Sequence, residues 1–167
     1  MTASILNILY AGKPGFETKG INLRSLNKVG GPREMLLNDL YTVEQSEAGK
    51  TGNGFSVLVR LNPFHEIFSG HFPGNPVLPG VCFIQILKEI LMDQLGAGLV
   101  LNNFGSIKFF SVVNPGANGS LHFDIALKET GSAGTSFNAV IYFESVIFCR
   151  LKGDFRLNLP GSNGTSA

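Results

Sequence analysis

The sequence predicts an α+β domain in which an antiparallel sheet covers one long helix. From about residue 36 onward the chain alternates apolar and polar residues in short stretches, which are divided by glycine-containing turns as in antiparallel strands. Residues 79–95 instead carry too many apolar side chains for one narrow helical stripe, so this helix is expected to be buried nearly all round. One such helix among about six strands indicates a sheet with the helix on one face.

The elements follow in a simple order along the chain. Strands are predicted at residues 36–46 and 55–62, and a loop with three prolines and three glycines, His65 to Gly80, leads into the helix. Four further strands are predicted in LVLNNFGSIKFFSVV, GSLHFDIAL, TSFNAVIYFES and VIFCRLKGDFRLNL, with turns at NPGANG and ETGSAG. The apolar residues expected to bury the helix are Leu78, Val81, Cys82, Ile84, Leu87, Ile90 and Leu91.

The length of 167 residues favours a single domain. Residues 1–34 are mixed and lack a clear period, so we interpret them as an N-terminal extension of uncertain order, followed by the domain at residues 35–157. Whether Met35 is the native start is left open. Residues 158–167 have linker composition and are expected to be a flexible tail.

The composition narrows the partners and the compartment. Charged residues make up 15% and hydrophobic residues 44%, which favours self-association. The net charge is +1 without a run of like charges, so neither nucleic acid nor an anionic membrane is an expected partner. Cys82 and Cys149 lack metal-ligand spacing and are interpreted as buried thiols rather than a disulfide. The N-terminus lacks a signal-peptide pattern. Free thiols and the missing signal pattern both favour a cytoplasmic location.

The loop before the helix has the chemistry of a site. Pro76 and Pro79 fix the backbone that enters the helix, and Gly80 leaves the first N–H groups unshielded. These N–H groups are unpaired and the helix dipole is positive there, so negative charge that develops at Gly80 or Val81 would be stabilised. His71 could supply a base. The alternative is a structural loop histidine.

The string GHFPGNPVLPGV, residues 70–81, closely resembles the signature of the β-hydroxyacyl-acyl carrier protein dehydratases of bacterial fatty-acid synthesis. IKFFSVVNPG and VIFCRLKGDF are similar to later strands of that family, and the resemblance runs from about residue 36 to 156. It implies the hot-dog fold, a six-stranded antiparallel sheet wrapped around one central helix. It also implies a homodimer, or a higher oligomer, with the acyl tunnels between subunits.

The resemblance also implies a site and a substrate. His71 corresponds to the catalytic histidine and the N–H of Gly80 to the group that holds the thioester carbonyl, with Val81, Phe72 and Pro79 as further substrate contacts. The substrate would be a 3-hydroxyacyl chain on the phosphopantetheine arm of acyl carrier protein, which loses water to become the trans-2-enoyl thioester. Neither a metal nor an organic cofactor is expected.

The sequence departs from the family at the second catalytic position. Fourteen residues after the histidine the family has an acidic side chain, and here Gln85 stands there. An amide has no proton to give at neutral pH. One turn later, where many members have glutamine, this chain has Glu89. Gln85 and Glu89 are four residues apart, so on a helix they share a face and their Cβ atoms lie about 6 Å apart. Glu89 could replace the acid, directly or through water, or be an ordinary residue at the helix edge.

Other candidates are weaker. His65 and His122 are interpreted as structural or surface residues, and Cys82 as core packing rather than as a nucleophile paired with His71. Basic residues on the later strands could meet the carrier protein or the pantetheine phosphate, or simply be solvated: Lys108, Arg150 and Lys152.

Two other functions stay open. One is a catalytically degenerate acyl-carrier-binding subunit, which would form a heterodimer with an intact homologue that brings its own acid. The other is thioester hydrolysis, because the same fold serves thioesterases.

Overall fold

The computed structural model describes residues 36–49, 53–96, 98–129 and 134–158. Six strands and two helices make up this part of the chain: β1 (Tyr41–Ala48), β2 (Gly54–Leu61), α1 (Ile67–Gly70), α2 (Gly80–Leu95), β3 (Gly98–Phe109), β4 (Ser120–Glu129), β5 (Thr135–Phe143) and β6 (Val146–Asn158). The predicted extension, residues 1–34, and residues 159–167 of the predicted tail lie outside the described residues.

The six strands form one antiparallel sheet in the order β1-β2-β4-β5-β6-β3. The strand that follows the long helix, β3, therefore pairs with β6, with Ile107 opposite Leu151. β1 and β3 are the two edge strands of this sheet. The predicted α+β hot-dog fold is confirmed.

One face of the sheet packs on α2. Phe55, Val57 and Val59 are buried and alternate with more exposed residues along β2, and β4 and β5 repeat this period-2 pattern, so each strand turns one row of side chains towards the helix. The helix has buried side chains on most of its sides: Cys82, Phe83, Ile86, Leu87, Glu89, Ile90, Leu91 and Leu95. Gly96, with φ 61°, ends the helix in the left-handed conformation. Neither described helix is both long enough and apolar enough to cross a membrane.

The predicted start of the first strand is wrong. Residues 36–40 form a turn, in which the N–H groups of Leu40 and Tyr41 both donate to the carbonyl oxygen of Leu36, and pairing with β2 begins only at Tyr41. The short helix α1, in the loop that precedes α2, was not predicted. The prediction of α2 at residues 79–95 agrees with the observed helix to within one residue. The expected burial of Val81 is wrong: this residue lies in the first turn of the helix and is 67% exposed.

Both cysteines are free and buried, as the sequence predicted. Cys82 lies on α2 and Cys149 on β6. Burial raises the pKa of each thiol to about 11, because the charged thiolate is poorly solvated there. Both side chains therefore stay protonated at neutral pH and act as small apolar residues of the core.

Candidate active site

The loop between α1 and α2 holds His71 by two hydrogen bonds to one residue. The Nδ1 atom of His71 lies 2.9 Å from the carbonyl oxygen of Val77, and the Val77 N–H donates back to the His71 carbonyl oxygen, also at 2.9 Å. A carbonyl oxygen can only accept, so Nδ1 must carry the proton of the neutral ring. The lone pair is therefore on Nε2, the atom at which the neutral ring can accept a proton.

His71 faces an open concavity of about 550 Å³. Its ring lies beside that of Phe72, with 4.2 Å between the ring centroids, and Phe72 is 54% exposed. The residues that line the concavity come from α1 and from the loops at its two ends: His65, Glu66, Ile67, Ser69, Gly70, His71 and Pro79. The histidine and the residue that precedes α2 thus border the same space, which a substrate can reach from solvent.

The start of α2 offers two N–H groups. Pro79 is the N-cap residue and no side chain caps the helix. The N–H of Cys82 donates to the Pro79 carbonyl oxygen, whereas the N–H groups of Gly80 and Val81 have no acceptor among the described residues. With the positive end of the helix dipole behind them, they can receive an oxygen that becomes negatively charged.

An aromatic side chain from the end of β3 closely approaches Gly80 at the helix start. A Cβ atom at position 80 would lie 2.9 Å from Cζ of Phe109, at the end of β3. The Phe109 ring also contacts Phe83 on the next turn of α2, with 5.9 Å between the centroids. Phe109 therefore packs against the helix start, and the missing side chain of Gly80 keeps the backbone accessible.

Farther along α2, Glu89 is almost fully buried, at 3% exposure, and accepts four hydrogen bonds. Its Oε1 accepts from the Leu36 N–H at 2.9 Å and from the Gln85 amide at 2.7 Å. Its Oε2 accepts from the Leu37 N–H and the Tyr41 hydroxyl, both at 3.0 Å. The carboxylate thus joins the helix to the turn before β1.

Each oxygen of Glu89 is filled by donors, so a proton placed on the carboxyl would displace at least one of these bonds. The Tyr41 hydroxyl stays protonated and donates to Glu89, because burial, and then the charge of Glu89, raise the pKa of this hydroxyl far above its usual range. Gln85 lies one turn before Glu89 and is half-buried. Its amide is oriented by the carboxylate.

The predicted site residues fall into two groups within one chain. The first is the loop with His71, Phe72 and Pro79, which leads directly to Gly80 and Val81. The second is the Gln85–Glu89 pair. Among the described residues, no hydrogen bond or ring contact joins His71 to that pair.

The remaining histidines have structural contacts. His65 Nδ1 accepts the Ile67 N–H at 3.1 Å, and its Nε2 lies 3.4 Å from an Asp39 carboxylate oxygen, so this ring fixes the start of α1. His122 stacks on Tyr142 of the neighbouring strand, with 4.9 Å between the centroids. Both arrangements agree with the interpretation from the sequence.

Two of the basic candidates lie side by side on the sheet. Lys108 of β3 stands directly opposite Arg150 of β6, so their side chains share one face. The Arg150 guanidinium lies over the Phe110 ring, 5.5 Å from its centroid. Lys152 is exposed two residues farther along the same strand. A role in binding an anionic partner stays a prediction.

Sequence reasoning missed three parts of the site. These are the carbonyl of Val77 as the partner of His71, Tyr41 as a donor to Glu89, and the two N–H groups of Leu36 and Leu37. The hydrophobic pattern near residue 36 indicated a strand, which gave no signal that its backbone binds a helix residue about fifty positions away.

A six-stranded sheet around a buried helix, entered through a histidine-bearing proline and glycine loop, defines a hot-dog-fold domain of the dehydratase type. The chain belongs to the ApeI-like dehydratase family: the family model described as ApeI dehydratase matches residues 45–143, from within β1 to the end of β5. The match includes the whole loop and α2.

Comparison with known proteins adds curated relatives that are named 3-hydroxyacyl-[acyl-carrier-protein] dehydratases. The chain is similar to the 3-hydroxyacyl-[acyl-carrier-protein] dehydratase FabZ of Enterococcus faecalis, with 40% identity over 98 residues, which cover 54% of this chain and 66% of that protein. With FabZ of Clostridium acetobutylicum the identity is 36% over 107 residues, which cover 60% and 72%. Across several curated relatives the chain spans about half to two thirds of their length.

A solved structure shares the fold. It is the dehydratase heterocomplex ApeI:P from Xenorhabdus doucetiae, with a TM-score of 0.52 at 18% identity, covering 68% of this chain and 96% of that one. At this identity the likeness concerns the architecture of the sheet and the helix.

Proposed function

We propose that the protein removes water from a 3-hydroxyacyl thioester to give the trans-2-enoyl thioester, in the cytoplasm, for fatty-acid or related lipid or polyketide synthesis. The observation that carries the proposal is the bond from His71 Nδ1 to the Val77 carbonyl oxygen, because it leaves the lone pair on Nε2, in a concavity that His71 shares with Pro79, the residue before the open N–H groups of α2. Membership of the ApeI-like dehydratase family supports the reaction class, and the FabZ relatives are named for acyl-carrier-protein substrates. The carrier's phosphopantetheine arm would present the acyl chain.

The proposed reaction begins at C2 of the acyl chain. His71 Nε2 takes a proton from C2, and the thioester carbonyl oxygen, which gains negative charge as the enolate forms, is stabilised by the N–H groups of Gly80 and Val81. The electron pair then forms the C2–C3 double bond while the C3–O bond breaks. Pro79, which lines the concavity with His71, and Phe72, whose ring lies beside that of His71, would contact the acyl chain.

The departing hydroxyl needs a proton from an acidic group, and two sources compete. Gln85 has none to give. Glu89 as a substitute acid, acting directly or through water, stays a prediction, and its four donors favour a holding role over proton donation. The competing source is an acidic residue of a partner subunit.

A dimer would enclose the site. β3 is an edge strand, and exposed apolar residues lie at the start of α2, at the end of β3 and in the segment that follows it: Val81 at 67%, Phe109 at 51% and Val112 at 66% exposure. We propose a homodimer with the acyl tunnel between the subunits.

A second candidate function is an acyl-carrier-binding subunit of a heteromeric dehydratase. The specific observation in its favour is that Gln85 lacks an acidic proton while the neighbouring carboxylate is fully engaged by donors. The related fold from Xenorhabdus doucetiae was solved as a heterocomplex, which makes a pairing with an intact homologue worth testing.

Two substitutions separate these possibilities in a dehydration assay with 3-hydroxyacyl carrier protein. In Gln85→Glu, the new carboxyl would lie against Glu89, where two carboxylates cannot both ionise easily, so one would keep a proton to donate. If Gln85 is the defect, dehydration rises by about 10²- to 10⁴-fold. If Glu89 already donates the proton, Gln85→Glu adds little and Glu89→Gln abolishes turnover.

The control is Glu129→Gln, which makes the same chemical change at an exposed position at the end of β4. Should none of the variants dehydrate while the carrier still binds, the assay is repeated with an intact FabZ-type homologue added. Dehydration above the homologue's own rate would then support the binding-subunit function, and no increase would exclude it.

A further inference from the structure

The Gln85 side chain is held at one end of its amide. Its Nε2 donates to Glu89 Oε1 at 2.7 Å, and since a carboxylate oxygen only accepts, the NH₂ end must face Glu89. The carbonyl end, Oε1, accepts no hydrogen bond from the described residues. Every side-chain nitrogen or oxygen closed off from solvent in that part of the chain has a partner, so this oxygen is open to solvent.

Glu89 is itself prevented from turning. Oε2 is bound by the Leu37 N–H and the Tyr41 hydroxyl, and Oε1 by the Leu36 N–H as well as by Gln85. A rotation of the carboxylate would break main-chain bonds from a turn outside the helix. The orientation of the Gln85 amide is therefore imposed by a fixed and buried anion.

Gln85 lies on the helix face that begins at Val81. The two residues are one turn apart, about 6 Å along the axis, and Val81 is exposed with an N–H that has no acceptor among the described residues. The open oxygen of Gln85 thus lies on the same side of α2 as the N–H group proposed to hold the thioester carbonyl.

We propose that Glu89 is a positioning residue, which fixes Gln85 as a hydrogen-bond acceptor for the 3-hydroxyl and so makes the site select 3-hydroxyacyl chains over 3-oxoacyl and saturated chains. A hydroxyl can donate to Oε1. A 3-oxo group would set two acceptors against each other, and a saturated chain would cover Oε1 without a partner. This inference rests on the proposed function and names the substrate feature that the same site reads.

The test measures binding rather than turnover. Pantetheine amides replace the thioesters, since the C2 protons of an amide are far less acidic and the ligand is not consumed. Three ligands of equal chain length carry a 3-hydroxyl, a 3-oxo group or no substituent, and calorimetry with the full chain gives their affinities. The wild type is predicted to prefer the 3-hydroxy ligand by about tenfold or more.

Gln85→Leu should abolish this preference. Glu89→Gln should reduce it several-fold, because the Gln85 amide is then free to present either end, and should have no further effect on it in the Gln85→Leu background. Glu129→Gln serves as the matched control and should keep the preference. A merely structural Glu89 would weaken all three ligands equally, which would overturn the inference.

The amide protons of Gln85 give a readout that does not depend on whether Glu89→Gln folds. In an ¹⁵N-labelled wild type, they are assigned by their loss in Gln85→Leu, and they should stay protected from exchange when the 3-hydroxy ligand binds. Loss of protection would mean that the ligand takes the NH₂ end, contrary to the inference. Equal binding of the three ligands would overturn the inference alone, whereas no binding together with no dehydration would overturn the proposed function.

Discussion

Replacing Glu89 by glutamine is predicted to destabilise the fold by about 3 kcal/mol. Glutamine has the same shape but offers one acceptor oxygen and one NH₂ group. In either orientation the NH₂ faces a pair of donors, either the Leu36 N–H with the Gln85 amide or the Leu37 N–H with the Tyr41 hydroxyl. Gln85 and Tyr41 can reorient, but a backbone N–H cannot.

The magnitude follows from these contacts. One hydrogen bond to a charged acceptor is lost, at about 1.5–3 kcal/mol, and the remaining bonds weaken because a neutral amide oxygen replaces a carboxylate oxygen. Their sum lies near 3 kcal/mol, which is a large share of the roughly 5–15 kcal/mol that stabilises a typical domain.

The assay is urea unfolding followed by far-UV circular dichroism, since the chain contains no tryptophan. The midpoint should fall while the denaturant dependence of the free energy stays unchanged. Glu129→Gln, at an exposed site, should stay within about 0.5 kcal/mol of the wild type. If Glu89→Gln did the same, the four-donor arrangement would not stabilise the protein and the reasoning would be refuted.

Three further predictions concern the helix start, the thiols and the assembly. Gly80→Ala should lower the free energy of unfolding by about 1 kcal/mol or less, because the half-exposed Phe109 ring can move away from the added Cβ at its 2.9 Å approach. It should nevertheless weaken the binding of an acyl ligand. Urea unfolding and calorimetry check the two effects, and unchanged binding would contradict a role for the Gly80 N–H. Burial raises the pKa of Cys82 and Cys149 from 9.0 to about 11, so the reactive thiolate is scarcer in the folded protein. For this reason alone, alkylation of the folded protein at pH 8 should be about 100-fold slower than alkylation of the protein unfolded in urea. Equal rates would show that the thiols are accessible. Sedimentation at micromolar concentration should show a dimer that Val112→Asp weakens, and a monomeric wild type would exclude the shared site.

The sequence was sufficient for the elements whose pattern is local. The period-2 alternation of Phe55, Val57 and Val59 and the crowded apolar residues of α2 each report the surroundings of one element. These predictions were confirmed except at Val81, which is exposed. Pro79 and Gly80 placed the helix start to within one residue. The loop signature indicated the family and, with it, the fold.

What the sequence could not predict depends on contacts between distant segments. The turn at residues 36–40 contains three leucines, which suggested the start of a strand, but the N–H groups of Leu36 and Leu37 bind Glu89 and extended pairing starts only at Tyr41. Lys88 and Glu89 are adjacent in the sequence, and only packing decides that Glu89 is buried and Lys88 is not. The orientation of the Gln85 amide depends on the buried Glu89, and the hydrophobic period of a helix cannot predict it.

The central claim is that His71 removes a C2 proton from a 3-hydroxyacyl thioester. The most direct measurement is mass spectrometry of 3-hydroxyacyl carrier protein after incubation with the purified protein in deuterated buffer, beside His71→Ala. The account predicts that the wild type exchanges the C2 proton, even if water loss needs an intact homologue to supply the acid, and that His71→Ala, with an unchanged fold, does neither. Deuterium uptake or dehydration retained in His71→Ala, or hydrolysis of the thioester as the only reaction, would contradict it.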